Sequence, residues 1–296
     1  MTTTPRVTQR LMVERSLYAM NTGLSRLAKS QEQLSTGRLI NRPSDSPTGT
    51  NDAMRLRAQL AADTQHARNA SDGLSALAQT DNTLTSMSDQ VRRVRDLIVQ
   101  GASTGSAGPE ARAALAAEMT QIRESLLSLA NTRHQGRALF AGTSASPVAY
   151  QPDGTYVGDS FGVERTVGTG LTVRANTTGP EAFSAGADDL FTVLSDTITR
   201  LTAAPDQLGD SLTRLDAVAG QMRTALADVG TRYARVERAM GTLTDTTLSN
   251  TANLSEVENV DIAKAVVDLQ MQEVAYQAAL GATARVLQPS LLDFLR

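Results

Sequence analysis

The chain has no cysteine and no tryptophan, and aromatic residues make up only 3% of its 296 positions. The missing cysteine excludes disulfides, thiol nucleophiles and cysteine metal sites, while leaving the compartment open. The shortage of aromatics, beside an abundance of Ala, Leu, Thr, Arg and Gln, suits slender helix bundles better than one thick core. No apolar run approaches the roughly 18 residues that a membrane span needs. The opening MTTTPRVTQR also lacks the apolar segment of a secretory signal. The chain therefore reads as soluble, without membrane insertion and outside the general secretory route. A net charge of -3 argues against a nucleic-acid or anionic-membrane surface, which would need an excess of Lys and Arg. The Arg92, Arg93, Arg95 cluster reads as a solvated helix face. The two histidines, His66 and His134, lie too far apart in sequence for a local metal pair. No cofactor or metal is expected.

What the chain does have is helical periodicity. Val13, Leu17, Met20, Leu24, Leu27 and Leu34 fall on steps of three and four, with Gln31 in register, and form a heptad stripe. The stripe stops in LSTGRLINRPSDSPTGT, residues 34–50. Gly37 weakens a helix by about 1 kcal/mol, and Pro43 and Pro47 each remove a backbone donor. The segment reads as a hinge between two helical bodies, with Ser46 or Thr48 capping the second of them. That second helix is expected from near Thr50 to about Gly101, a length of about 75 Å at about 1.5 Å per residue. A third helix, opened by Pro109 and carrying Leu115, Met119, Ile122, Leu126 and Leu129, runs back along it.

From Gly142 to about Ala187 the heptad vanishes. Gln-Pro-Asp-Gly at 151–154 is hairpin chemistry, and Leu171, Val173 and Ala175 alternate with polar neighbours as a half-buried strand does. A long register then runs from Leu208 to Leu243 without a slip. A second interruption, at about Asn250 to Asp261, precedes a last seam of Ile262, Val266, Leu269, Tyr276, Leu280 and Leu287. The expected fold is mainly α: an antiparallel coiled-coil-like helical rod formed by the N- and C-terminal halves, with a small β insertion. Its divisions are residues 1–45 plus 251–296 as terminal assembly helices, 46–141 plus 188–250 as the rod, and 142–187 as the insertion. Residues 1–60 carry nine Lys or Arg against four Asp or Glu, and residues 251–296 carry three against six. The two ends should attract each other.

An enzymatic reading has little to stand on. Gly158-Asp159-Ser160-Phe161-Gly162 matches the G-x-S-x-G pattern, but that pattern needs a strand before it, a helix after it and a His later in the chain. Both histidines lie upstream, so a turn in the insertion is the better reading. Gly168-Thr169-Gly170 lacks the third glycine of a dinucleotide loop, and Glu256 and Glu258 have no convergent partner that would make a carboxylate dyad.

The stretch LSTGRLINRPSDSPTGT resembles the N-terminal motif of the flagellin superfamily. SEVENVDIAKAVVDLQMQEVAYQAALGATARVLQPSLLDFLR resembles its C-terminal counterpart. Within the superfamily, RVTQRLMVERSL, Asn-Arg-Pro-Ser-Asp at 41–45, GRALFAGT at 136–143 and the ending SLLDFL resemble the hook-filament junction branch, the third hook-associated proteins, more than filament flagellin. The resemblance covers nearly the whole chain and is weakest across 144–186. It implies a structural, extracellular protein of the bacterial flagellum, not an enzyme, exported by the flagellar secretion apparatus without a cleaved signal. A dedicated export chaperone would hold its C-terminal region. The implied partners are the first hook-associated protein below, flagellin above, and further copies of the chain in a ring. The terminal helices would be disordered in the monomer. A short flagellin, and an unrelated coiled-coil scaffold, stand as alternatives.

The physics supplies a mechanism for such assembly. A lone helix of about 30 residues with one narrow apolar seam gains little by folding in water, whereas each Leu or Ile buried against neighbours contributes roughly 1.5 to 3 kcal/mol before entropy. Assembly can thus be coupled to folding. The residues expected to carry it are Leu17, Leu24, Leu27, Leu269, Tyr276, Leu280, Leu287, Leu291 and Leu292; each could equally be an ordinary intramolecular core residue. The expected hinge is Gly37, Asn41, Pro43 and Asp45, with Glu256 and Asp261 on the returning chain.

Overall fold

The computed structural model describes residues 9–103 and 108–287. Seven α-helices and six short strands lie among them. Helix α1 spans Gln9–Thr36, α2 Pro47–Ala102 and α3 Pro109–Ala130. The strands β1 (Arg133–His134), β2 (Arg137–Ala138), β3 (Glu164–Gly168) and β4 (Leu171–Arg174) come next. After them stand the short helix α4 (Gly179–Phe183), strands β5 (Ser184–Ala185) and β6 (Asp188–Asp189), and helix α5 (Leu190–Ala203). A single 3-10 turn at Pro205–Gln207 leads into α6 (Leu208–Glu258), and α7 spans Ile262–Leu287.

The chain divides into two compact units: residues 1–61 with 248–296, and residues 62–247. In the second unit α2 and α3 run antiparallel, with Arg93 paired to Glu118 and Gln90 to Ser125. Helices α5 and α6 are held by Arg214, which bridges Asp188 and Asp196. The core is aliphatic. Leu77, Leu84, Met87 and Val94 of α2, Met119 and Leu126 of α3, and Leu190 and Leu194 of α5 are fully buried. On α6 the residues Leu208, Leu215, Met222, Val229 and Val236 recur every seventh position and are all buried, as a helix packed along one seam requires.

The few aromatics are concentrated where the β-rich segment meets the bundle. Phe140, Tyr150, Tyr156, Phe183 and Phe191 interlock, with ring centroids 4.8–6.0 Å apart, a spacing that adds to their area burial. Gly179 makes this possible. A Cβ there would lie 2.6 Å from the Tyr150 hydroxyl and 2.8 Å from the Tyr156 ring. Burial pushes the Tyr156 phenol up to about 12, with the Asp159 carboxylate adding to the effect; its hydroxyl donates to the Asp159 carbonyl at 2.6 Å. All three sheets are antiparallel two-stranded ribbons, β1-β2, β3-β4 and β5-β6. In β3-β4, Glu164 faces Arg174 and Arg165 faces Val173.

Several local expectations need adjustment. Helix α2 starts at Pro47, not near Thr50, because proline is suited to the first helical position. Ser46 is the cap, its hydroxyl accepting the Gly49 amide at 3.1 Å. The interruption expected at 250–261 is much shorter: α6 continues to Glu258 and α7 begins at Ile262. The Asn250–Glu258 stretch has no apolar stripe but also no Gly or Pro, so nothing stops the helix. Strand pairing begins at Arg133, before Gly142, and the short helix α4 lies inside the expected β insertion, whereas α5 falls within the expected rod segment 188–250.

Candidate assembly interface

The expected assembly residues that fall among the described residues all belong to the first unit, which is built on α1 and α7. These two helices lie antiparallel. The Ser16 and Thr283 hydroxyls are hydrogen-bonded at 2.5 Å, Gly23 sits opposite the Tyr276 ring, and the Ser30 hydroxyl donates to Gln272 Oε1 at 3.2 Å. The shared face of α1 is Ser16, Met20, Gly23, Leu27, Ser30 and Leu34. That of α7 is Ala265, Leu269, Gln272, Tyr276, Ala279 and Thr283. Both advance by alternating four and three, and on α1 small residues alternate with large ones, so that the backbones can approach and knobs find holes.

This face differs from the stripe that hydropathy picks out. Leu27, Leu269 and Tyr276 lie on it, half-buried. Leu17 and Leu24 do not: each is 50% exposed, one position along from Ser16 and Gly23. Leu280 is likewise exposed. Leu287 ends α7 and its side chain is outside what is described; Leu291 and Leu292 lie outside the described residues. Each terminal helix therefore carries two overlapping heptads, one closed within the chain and one facing out. Further apolar side chains stand on the outward surface, including Tyr18 at 77% exposure on α1 and Val267, Met271 and Val274 on α7. Thr283 stands in register with the last seam, whereas hydropathy missed Ser16, Gly23 and Ser30 because small and hydroxyl residues score as surface. Their own spacing of seven was the available signal.

The connector between α1 and α2 is laced to the returning chain. Gly37 stands directly after the last residue of α1 at φ +69°, a conformation that costs a side-chain-bearing residue about 1 to 2 kcal/mol. Beyond it, Arg38 pairs with Asn259 as an antiparallel bridge. The Leu39 amide donates to the Glu258 carbonyl at 2.7 Å and the Val260 amide to the Gly37 carbonyl at 3.0 Å. Asp45 closes the turn around exposed Pro43. Its carboxylate accepts the amides of Asn41 and Arg42 at 3.2 and 2.9 Å and meets Lys29 Nζ at 2.8 Å. The Lys29 bond, seconded by the Arg42 amide, holds this carboxyl down at about 2.

On the returning chain Asp261 caps α7 by accepting the Lys264 amide at 3.1 Å. Glu256 is not in the connector, because α6 is still helical there. Buried Glu258 takes that place, both its oxygens within 2.8 Å of the Arg57 guanidinium. Among the described residues the opposite charge balance of the two ends is expressed in the Arg57–Glu258 pair between α2 and α6, near a cleft where Arg26, Lys29 and Lys264 stand near Asp261 and Asp268.

The other singled-out residues fall in the second unit or on its helices. The G-x-S-x-G stretch is a loop in which the Asp159 carboxylate accepts the Thr143 amide and hydroxyl at 2.8 and 2.7 Å. His66 stands on α2 with Nδ1 3.3 Å from the Thr166 carbonyl, and His134 is in β1. Among the described residues no helix is long and apolar enough to cross a membrane.

Fold and interface together define a helical structural subunit whose helices α1 and α7 pair and leave apolar stripes uncovered. The family model for the bacterial flagellin N-terminal helical region matches residues 10–145, and that for the C-terminal helical region matches residues 212–295. The chain belongs to the flagellin superfamily, the structural subunits of bacterial flagella. It is 25% identical over 303 residues to flagellar hook-associated protein 3 of Escherichia coli, covering 94% of this chain and 95% of that protein. To a flagellin of Listeria monocytogenes it is 23% identical over 273 residues, covering 91% of each. The fold is that of a putative flagellar hook-associated protein from Vibrio parahaemolyticus, with a TM-score of 0.67 at 21% identity, covering 73% of this chain and all of that one.

Proposed function

We propose that this chain is the structural protein that joins the flagellar hook to the filament, polymerising through the outward stripes of α1 and α7. The observation that carries the reading is the doubled heptad. One stripe is already covered within the chain, and the second, with Leu17 and Leu24 on α1 and Val266 and Leu280 on α7, is left to water. The near full-length likeness to a hook-associated protein 3 supports the junction over the filament. In this reading neighbouring copies, the first hook-associated protein and flagellin cover the outward stripes. A dedicated chaperone would cover the C-terminal part before export, which proceeds through the flagellar apparatus without a cleaved leader. The terminal parts, 1–45 with 251–296, acquire lasting order on assembly; 46–141 with 188–250 form the supporting helices and 142–187 the insertion. Gly37, Asn41, Pro43 and Asp45 set the angle at which the chain passes from one part to the other.

The test is a deletion strain and a labelled flagellum. Loss of the gene should leave flagellin synthesis normal while the filament protein is shed into the medium, and immunogold label should mark one narrow band at the base of the filament. The full-length likeness to a flagellin favours a second reading, a short filament subunit. Label along the whole filament would establish that reading and overturn the first.

A further inference from the structure

Two features of the second unit are left unexplained by the terminal helices. The first is Phe161, 68% exposed, while the neighbouring aromatics of the insertion are packed together. Its loop is held on both sides. The Asp159 carboxylate accepts the Phe161 amide at 3.0 Å and the Thr143 amide at 2.8 Å. Buried Asn176 donates to the Phe161 carbonyl at 3.3 Å and accepts the Val163 amide at 2.7 Å. A large apolar side chain presented on a backbone already fixed loses little entropy on binding, which is the character of an interface anchor.

The second feature is a cleft of about 460 Å³ between α2 and α6, whose floor is Val91, Leu215 and Met222, all almost completely buried. On its rim Arg92 is paired with Asp89 and Arg95 with Asp216 at 2.9 Å, while Arg223 stands beside them. Phe161 is not among the described residues lining it, so knob and hole are not each other's partner within one chain. Their chemistry matches: an aromatic knob three residues before the Glu164 carboxylate, and an apolar hole with the Arg223 guanidinium on its rim.

We propose that Phe161 seats in the α2-α6 cleft of a second copy of this chain. Knob and hole are different surfaces, so the contact is heterologous, and repetition of it produces a closed ring or a helix and not an isolated pair. The inference rests on the proposed junction role only in that the ring of copies there is where the contact forms.

The absence of cysteine gives a clean test. Ser160→Cys beside the knob is combined with Thr85→Cys at the cleft, and flagella isolated from cells carrying this chain are oxidised. A ladder of covalently linked copies is expected from the double variant, with single variants remaining monomeric. Adding Phe161→Ala should lower the cross-linked yield about tenfold while the amount of protein in the flagella is unchanged. Protein present in flagella without a ladder, or a ladder indifferent to Phe161→Ala, overturns the contact and leaves the junction reading standing. Protein absent from flagella overturns the junction reading and this contact with it.

Discussion

Leu24 is a large apolar side chain that leaves half of its surface in water. Half-exposed on α1 and outside the face shared with α7, it should be replaceable by Asp at a stability cost within about 0.5 kcal/mol. Thermal unfolding should therefore change little, whereas motility and filament retention should be lost. A large drop in melting temperature would instead place Leu24 in the internal core. Asp45 behaves in the opposite way, acting only inside its own chain. Its folded carboxyl is depressed to about 2, so the stability it contributes is fully present above the ordinary carboxylate pKa of about 4 and is lost as pH falls through about 2. The Asn41 and Arg42 amides should exchange faster across that window. Asp45→Asn should exchange fast at neutral pH and lose the acid dependence.

At the scale of elements, the helices fall into two kinds. Helices α2, α3, α5 and the part of α6 before residue 248 spend their stripes on one another, so truncation there is costly. Leu84→Ala, at a fully buried position, should destabilise by about 2 to 5 kcal/mol, read as a lower denaturant midpoint with an unchanged slope. Helices α1 and α7 bury Ser30, Ala265 and Thr283 against each other and their large apolar residues only in part, which stabilises the pair less per residue. Between α1 and α2, Gly37→Val should cost about 1 to 2 kcal/mol because of the positive φ. The same variant should disturb assembly by misdirecting α1, which filament shedding would report.

For the molecule as a whole, the two compact units imply separable stability. In dilute solution residues 62–247 should unfold cooperatively and resist amide exchange, while α1 and α7 exchange quickly. In isolated flagella both should be protected. Equal protection of the ends in the free protein would refute the coupling of folding to polymerisation. The insertion belongs to the stable part, since its aromatic cluster includes Phe191 of α5 and so locks it to the bundle.

Heptad spacing alone fixed the helical character of the chain, the direction in which α3 returns, and the break after Leu34, because Gly and Pro act locally and periodicity needs no partner. The same local logic exposed the turn at 151–154, where the Gly154 amide bonds back to the Gln151 carbonyl. What required tertiary structure was the choice between two stripes one residue apart. Hydropathy ranks Leu17 and Leu24 above Ser16 and Gly23, yet close approach of two helices rewards the small residues and leaves the leucines outside. Likewise no local rule says that α6 runs on to Glu258 or that Arg57 finds that carboxylate: ion pairs and core contacts between residues some 200 positions apart exist only once the chain ends have been brought together.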